Sequence, residues 1–374
     1  MSPDDAVAAH SPARLAERGR LPASGARAIA PFRLDGRAYL AIPQLAYDAP
    51  GSPPGMNGGD SDTDLLLLRF DGSGWGPAGA LPAPGGEDAE FFTIGGRAFL
   101  AVASVRSGAG PYSYTVGSVV HEWNGDRFEP FQRFPTFAAK QWTHFTVDDR
   151  HFLALAQGVW LPHTRGETRP SVIYEWDGTR FVELQTIPSK WAYNWHPLEL
   201  DGGFYLAHAD HVDPSVLYRW DGARFVPHQN LIDKCGRAFA HFTGGGTGGT
   251  VYLACAAIEQ VPSTIQRWDG DRFVAHQALD GDGGREFAVI ERADAIYVMR
   301  VNFITGGREH PKPDLMSQLY RWENGRLAVI EEFATSGGTD CAVFEVGGET
   351  LVGVSNSLTA DIHFATESVL YALV

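Results

Sequence analysis

Four basic side chains recur at one spacing in a protein that is otherwise acidic. Arg27, Lys140, Arg237 and Arg285 each lie five residues before an apolar residue that opens the same kind of segment, although the whole chain has a formal net charge of −15. Clustered arginine and lysine side chains can hold a carboxylate or a phosphate through charged hydrogen bonds. The alternative is that they neutralise the acidic residues that follow them in the sequence.

The next position in the same segments carries side chains with oxygen atoms. These residues are Asp88, Gln141, Asn194, Glu286 and Asp340. If the segments converge on one axis, their oxygens would suit a hard cation, and the pattern predicts a Ca²⁺ or Mg²⁺ site there. The alternative is that each residue caps its own backbone in a turn.

Histidine and aromatic residues cluster in and beside these segments. The histidines are His144, His196, His208 and His241, and the aromatic residues are Trp160, Tyr193 and Trp195. Imidazole groups can bind a transition metal or act as a general base, and aromatic rings commonly line ligand pockets. Trp195 also belongs to a position, three residues before the apolar residue, that is apolar throughout and is expected to pack in the core.

A repeat must position these residues, and its signature is an aromatic residue followed by Asp or Asn and Gly. The aromatic residues are Phe70, Trp123, Trp176, Trp220, Trp268 and Trp322, which lie 53, 53, 44, 48 and 54 residues apart. Asp-Gly and Asn-Gly favour two-residue hairpin turns with positive φ, and the flanking runs are apolar or alternating. A second hairpin lies upstream in each repeat, so each repeat predicts four antiparallel strands, A to D.

The upstream hairpins begin at seven apolar residues, which we call the strand-A anchors. They are Phe32, Phe92, Phe145, Leu198, Phe242, Ile290 and Phe344. One four-stranded sheet cannot bury both of its faces, so seven of them must stack around an axis. The sequence therefore predicts an all-β fold, a single seven-bladed β-propeller over residues 1–374.

The last repeat lacks a fourth strand of its own. Residues near 14–21 resemble a strand D, so we expect them to pair with the strand that ends at Leu373 and to close the ring. Residues 1–13 are expected to form a disordered tail.

The repeat resembles the epilepsy-associated repeat (EAR) family, also called the EPTP family. The residues that carry the resemblance are Leu217-Tyr218-Arg219-Trp220-Asp221-Gly222-Ala223-Arg224-Phe225-Val226-Pro227-His228-Gln229 and Gly203-Phe204-Tyr205-Leu206-Ala207. The resemblance implies a propeller. The chain is similar to a bacterial-type member without leucine-rich repeats, so the receptor binding known for animal members is not implied.

The composition of the chain indicates which kinds of partner and which cellular compartment to expect. The acidic charge is spread along the chain and argues against nucleic-acid binding. No apolar stretch is long enough for a membrane span, and the N-terminus does not resemble a signal peptide. Three cysteines without a CxxC pair favour a reducing compartment, so we expect a cytoplasmic protein. The sequence leaves the oligomeric state open, with a monomer favoured.

Long loops between strands B and C point to where function lies. The five longest cover residues 47–64, 107–117, 159–170, 305–315 and 356–367, and all fall on one face of the predicted ring. The favoured hypothesis is a propeller that binds a small molecule or a protein on this face and at the channel mouth. Because no catalytic motif occurs, a small-molecule enzyme of specialised bacterial metabolism, with its active site at the channel mouth, is the alternative.

Overall fold

The computed structural model describes residues 13–51, 54–245, 248–259 and 261–374, and it contains seven four-stranded antiparallel sheets. Each sheet is one blade, and the ring starts and ends in blade 7. The first strands are β1 (Leu15–Ser24) of blade 7; β2 (Ala30–Leu34), β3 (Arg37–Ile42), β4 (Asp64–Phe70) and β5 (Trp75–Pro82) of blade 1; and β6 (Gly86–Ile94), β7 (Arg97–Ser104), β8 (Ser118–Trp123) and β9 (Phe128–Phe134) of blade 2.

The remaining blades repeat this arrangement. Blade 3 contains β10 (Ala139–Val147), β11 (Arg150–Gln157), β12 (Ser171–Trp176) and β13 (Phe181–Ile187), and blade 4 contains β14 (Ala192–Leu200), β15 (Gly203–Asp210), β16 (Ser215–Trp220) and β17 (Phe225–Ile232). Blade 5 contains β18 (Gly236–Gly244), β19 (Thr250–Ala257), β20 (Thr264–Trp268) and β21 (Phe273–Ala278). Blade 6 contains β22 (Gly284–Glu291), β23 (Ile296–Asn302), β24 (Asp314–Glu323) and β25 (Arg326–Ser336), and blade 7 contains β26 (Gly338–Val346), β27 (Glu349–Asn356) and β28 (Ala365–Leu373). The predicted seven-bladed propeller is confirmed.

The ring closes through the N-terminal strand. β1 pairs antiparallel with β28, from Leu15 opposite Leu373 to Ser24 opposite Ala365, with a bulge between Glu17 and Gly19. Blade 7 therefore takes its outer strand from the start of the chain, as predicted. Residues 1–12 of the predicted tail lie outside the described residues.

The Asp-Gly and Asn-Gly segments form hairpins, but the predicted two-residue turn with positive φ at both residues occurs at Asn324-Gly325, whereas four residues form the turn in blades 1 to 5. In blade 3 the turn joins Trp176 to its partner Phe181; Gly178 has φ 100°, and the Asp177 N–H donates to the Arg180 carbonyl oxygen within the turn. The Asp177 carboxylate also accepts the backbone N–H groups of Thr179 and Arg180, each at 2.8 Å. The side chain thus satisfies backbone donors that the hairpin leaves unpaired.

Neighbouring blades are joined on their outer edge by glutamine side chains. The Gln185 side-chain amide donates to the Phe225 carbonyl oxygen at 2.8 Å, and its oxygen accepts the Phe225 N–H at 2.9 Å. Gln132, Gln229 and Gln277 make the same pair of contacts with the next blade. This is the physical role of the glutamine that ends the Phe-x-x-x-Gln part of the repeat.

The interior between blades is apolar, and it uses the position three residues before each strand-A anchor. Trp142 and Trp195 are both 1% exposed, in the clusters between blades 2 and 3 and between blades 3 and 4. The three cysteines are free and buried. Among the residues that the structure describes, there is no helix with the length and apolar character that a membrane crossing requires.

Candidate functional site

The site lies at the end of the central channel where each strand A begins. The same end carries the loops between strands B and C, and we call it the loop-rich face. The residues five positions before the anchors, one from each blade, form a ring there. Six of them converge on one another and are called the channel cluster: Arg27, Glu87, Lys140, Tyr193, Arg237 and Arg285. The seventh, Thr339, instead donates to the Ala26 carbonyl oxygen.

Glu87 is the acidic centre of the channel cluster. Its carboxylate accepts two hydrogen bonds from Arg27, at 2.9 and 3.0 Å. Lys140 Nζ lies 3.5 Å and Arg285 Nη2 lies 3.7 Å from the same carboxylate. Since Glu87 belongs to blade 2 and Arg285 to blade 6, the cluster spans the channel.

Tyr193 provides an aromatic surface for the remaining cations. The Arg237 guanidinium carbon lies 3.9 Å from the centre of the Tyr193 ring, and that of Arg285 lies 4.9 Å away. Lys140 Nζ lies 5.4 Å from the same ring centre. Such cation–π contacts stabilise a cation without neutralising its charge.

Arg237 is the cation of the channel cluster that lacks an ion pair among the described residues. It is 5% exposed, and its Nη1 is buried without a hydrogen-bond partner in the described part of the chain. Within the same described ranges, no carboxylate forms an ion pair with it. A buried guanidinium group in this state is costly unless something else accepts its hydrogen bonds.

The charges of the channel cluster act strongly on one another. Burial opposes the ionisation of Glu87, but Arg27, Lys140 and Arg285 outweigh it and lower the pKa of Glu87 to about 2. Burial lowers the pKa of Lys140 to about 7, and nearby arginines add to this effect against the pull of Glu87. The cluster therefore holds three arginines, an ionised glutamate and a lysine that titrates near neutrality.

The oxygen-bearing position one residue later forms contacts between blades. Asp88, Gln141 and Asp340 accept the backbone N–H groups of Trp142, Trp195 and Ile29 in the next blade, at 2.9, 2.6 and 2.8 Å. Asn194 does the same with Phe239 at 3.2 Å, whereas Glu286 accepts the N–H of its own neighbour Phe287. Most of these side chains therefore bridge to the next blade, and only Glu286 caps its own backbone.

Three of these residues are carboxylic acids that share a buried environment, and we call them the acidic layer. Burial raises the pKa of Asp88 to about 7, of Glu286 to about 8 and of Asp340 to about 6. Asp340 repels negative charge on both of the other two. The Ca²⁺ or Mg²⁺ ion expected here stays a prediction, which stabilisation of the protein by either ion would support.

Replacing Glu286 by Gln should stabilise the protein increasingly as the pH rises. The folded-state pKa of about 8 lies above the ordinary value of 4.5, so the native state keeps a proton that the unfolded state releases. The stability due to this proton is fully present below about pH 4.5 and is lost as the pH approaches 8. Glutamine keeps the accepting oxygen without the charge, so the variant should exceed the wild type by a few kcal/mol, roughly, at pH 8. Urea unfolding at pH 5 and pH 8 checks this, and equal differences at the two pH values would contradict it.

The predicted histidines form two pairs and one isolated contact. His196 Nε2 lies 2.7 Å from His241 Nδ1, which brings together blades 4 and 5, and His144 Nε2 lies 3.2 Å from His151 Nδ1. His208 is 1% exposed, contacts the Ser171 hydroxyl at 3.1 Å and packs beside Trp195, with ring centres 4.1 Å apart and planes at 39°. His208 and Trp195 therefore lie in the interior between blades, away from the channel cluster.

Loops of several blades cover the channel cluster with an apolar layer that includes Tyr114, Trp191 and Phe303; Tyr193 of the cluster packs with this layer, and Trp160 packs against it. Phe303 contacts the cluster directly, with the Arg27 guanidinium carbon 5.2 Å from its ring centre. Trp160 lies near Lys190 Nζ, 5.5 Å from its ring centre. Of the aromatic residues predicted to line a pocket, Trp160 therefore lies at this layer and Tyr193 in the channel cluster, whereas Trp195 lies between blades.

Polar contacts fasten this cover. The loop of blade 1 is held by Arg106, which donates to the carbonyl oxygens of Met56 and Gly58, and by the Tyr112 hydroxyl, which donates to the Gly58 oxygen at 2.6 Å. Arg308 of blade 6 donates to Asn57 at 2.7 Å. A cavity of about 590 Å³ opens among these loops, lined by residues that include Met56, Asn57, Leu161, His163 and Arg308.

The fold and the site together define a seven-bladed β-propeller with a buried cationic cluster at the loop-rich mouth of its channel. Part of the ring matches a known repeat family: the EPTP domain family matches residues 127–177 and 180–221, from strand D of blade 2 to strand C of blade 4. The chain therefore carries EAR/EPTP repeats, as the sequence pattern predicted.

Named relatives agree with this assignment. The chain is 36% identical over 96 residues to a human thrombospondin-type laminin G domain and EAR repeat-containing protein, and 32% identical over 124 residues to the mouse protein of that name. These matches cover 25% and 33% of this chain. Among solved structures, the SapL1 lectin in complex with alpha methyl fucoside matches 83% of this chain and 97% of its own, with 12% identity and a TM-score of 0.47. The chain spans only 14% and 17% of the lengths of the human and mouse relatives.

Proposed function

We propose that this EAR-repeat propeller is a binding protein whose ligand is a small molecule that carries a carboxylate or phosphate group. The observation that carries the proposal is the excess of buried positive charge in the channel cluster. Arg27, Lys140, Arg237 and Arg285 are each at most 9% exposed, and Glu87 supplies the one negative charge of the cluster.

An anion would resolve the imbalance in this cluster. Buried charges are normally paired, because an isolated ion loses its hydration without compensation. A guanidinium group can bind a carboxylate or phosphate through two parallel hydrogen bonds, and Arg237 Nη1 is a donor without a partner among the described residues. The charge and the free donor therefore both favour an anionic group next to Arg237.

The cover supplies a place for the rest of the ligand. The cavity among the loops measures about 590 Å³, which is in the size range of small-molecule sites. Arg308 lines it and also lowers the pKa of Lys140, so the charges of the cavity and of the cluster act on each other. The cavity lining does not include Arg237 or Arg285, so the body of the proposed ligand lies in the loop cavity and its anionic end must extend from there to the cluster.

Isothermal titration with sulfate, succinate and a sugar phosphate tests the proposal. At least one probe should bind the wild type. Arg237→Gln and Arg285→Gln should each raise the Kd of that probe at least about tenfold, because each removes a charged hydrogen bond. Affinity for sulfate should also fall as the pH rises through about 7, where Lys140 loses its proton. The control is Arg150→Gln, whose ion pair with Glu175 lies at the start of strand B, at the opposite end of the blade. Equal affinity in the Arg237 and Arg150 variants would refute the site.

A further inference from the structure

Three residues with different donor atoms meet on the loop-rich face at the junction of blades 4 and 5. His211 follows β15, Cys235 precedes β18 and Glu259 follows β19, so three separate connections bring them together. One nitrogen of His211, the sulfur of Cys235 and a carboxylate oxygen of Glu259 all lie within 4.8 Å of one another. We propose that these residues bind a divalent d-block metal ion, with zinc as the expected occupant.

The spacing within the trio suits a shared metal better than a direct contact. His211 Nε2 and Glu259 Oε1 are 3.6 Å apart, which is longer than a normal hydrogen bond. Two ligands of a tetrahedral zinc ion, each bonded at about 2.0–2.2 Å, are separated by about 3.4 Å. The pair is therefore close to the distance at which one ion can join both atoms.

The ring of His211 is held in place by packing, but one of its nitrogens has no hydrogen-bond partner among the described residues. Its side chain is 10% exposed, and Nδ1 is buried without a hydrogen-bond partner in the described ranges of the chain. The edge of its ring packs against Trp191, with ring centres 4.9 Å apart and planes at 84°. The packing against Trp191 thus fixes the ring with Nε2 toward Glu259, whereas Nδ1 lacks, among the described residues, the outer hydrogen bond that metal-binding histidines usually make.

One member of the trio, Cys235, also departs from the repeat at an aligned position. Cys235 lies seven residues before its anchor, where Gly25, Gly85, Gly283 and Gly337 lie in other blades, and it keeps their positive φ at 64°. Its N–H donates to the His211 carbonyl oxygen at 2.8 Å, and its own carbonyl oxygen accepts the Ile258 N–H. The backbone thus links the three positions. Cys235, like Ala138 at the same position of blade 3, holds a positive-φ conformation in which a glycine would be free of strain.

The donor set indicates the class of ion. Nitrogen, thiolate sulfur and carboxylate oxygen together suit zinc and its neighbours rather than Ca²⁺ or Mg²⁺, which prefer oxygen alone. A thiolate and a carboxylate neutralise the two charges of the ion. Three protein ligands leave a fourth position open, and Glu259 also lines a cavity of about 510 Å³ through which an ion or a further ligand can approach.

Cobalt titration of the full-length, chelator-treated protein tests the site without reference to any activity. We expect one equivalent of Co²⁺ to bind, with a thiolate-to-cobalt charge-transfer band in the near ultraviolet and the intense visible bands of a four-coordinate ion, and Zn²⁺ to displace it. Cys235→Ser should abolish the charge-transfer band, and His211→Ala should weaken binding at least tenfold. Cys255→Ala is the matched control, because this thiol is 1% exposed in the core between blades 4 and 5, and the band should persist in it.

Two further measurements keep the test decisive. If Cys235→Ser does not fold, Glu259→Gln replaces it, because this side chain is 51% exposed and its loss should spare the fold while weakening binding at least tenfold. Absence of stoichiometric binding to the wild type, or a charge-transfer band that survives in Cys235→Ser, overturns the proposal. Sulfate binding measured on the metal-free protein should be unaffected by Cys235→Ser, so the metal site and the anion site can fail separately.

Discussion

Glu87→Gln is expected to destabilise the protein by roughly 3–5 kcal/mol at neutral pH, which is the usual cost of removing one partner from a buried ion pair. Glu87 accepts both hydrogen bonds of Arg27 and lies near Lys140 and Arg285, so the substitution leaves these cations without a counter-charge. Urea unfolding measures the loss. The matched control is Glu175→Gln, whose pair with Arg150 is partly exposed and should contribute less than about 1 kcal/mol.

The same variant gives a second expectation that is specific to anion binding. If the cluster accepts an external anion, sulfate should raise the melting temperature of Glu87→Gln by more than that of the wild type, because it replaces the missing negative charge. Sodium chloride at equal ionic strength controls for general screening. An equal response of the two proteins to sulfate would contradict the account.

Leu21→Asp is expected to destabilise the protein by at least about 3 kcal/mol and to promote association of the opened chain. Leu21 lies on β1, is 4% exposed and packs in the cluster formed with Ile29, Leu40 and Leu370 at the junction of blades 7 and 1. A carboxylate there would be buried without a partner and would release the strand that closes the ring. The unpaired edge of β28 would then be free to pair with another chain.

Urea unfolding and size-exclusion chromatography measure the two consequences. Pro22→Asp is the control, because it places the same charge on the next residue of β1, which faces solvent. If Leu21→Asp unfolds within about 1 kcal/mol of Pro22→Asp and stays monomeric, β1 does not close the ring in the way described.

The fold was predictable because the signals for it are local and repeated. An aromatic residue with Asp-Gly fixes a hairpin, and seven copies of one pattern require a closed ring. The pairing of β1 with β28 was predictable for the same reason, since residues 14–21 match a strand D that the last repeat lacks.

The partners inside the channel were less predictable. The sequence placed Glu87 and Arg285 in one ring, but only the closed ring shows that they meet from blades 2 and 6. The sequence pattern likewise predicted that the oxygen-bearing side chains lie near the axis. It did not show that Gln141 and Asp340 would bond to the next blade, because the period of a strand tells which residues share a face but not which neighbour that face meets.

Contacts between loops were the hardest to foresee. His211, Cys235 and Glu259 come from three connections in two blades, so no spacing in the sequence unites them. A usable signal was the aligned departure from the repeat, with Cys235 at a position that is glycine in four other blades. The outer glutamine contacts had a similar signal in the Phe-x-x-x-Gln motif, whose role became clear only when Gln185 was seen on the backbone of Phe225.

The most direct test of the central claim is to locate an anion in the channel. Crystals of the wild type soaked in sodium selenate should show anomalous density within about 3.2 Å of Arg237 Nη1 and beside Arg285 at the loop-rich mouth. The density should be absent from crystals of Arg237→Gln treated in the same way. Selenate bound only at exposed arginines such as Arg127 and Arg180, with none at the channel cluster, would contradict the account.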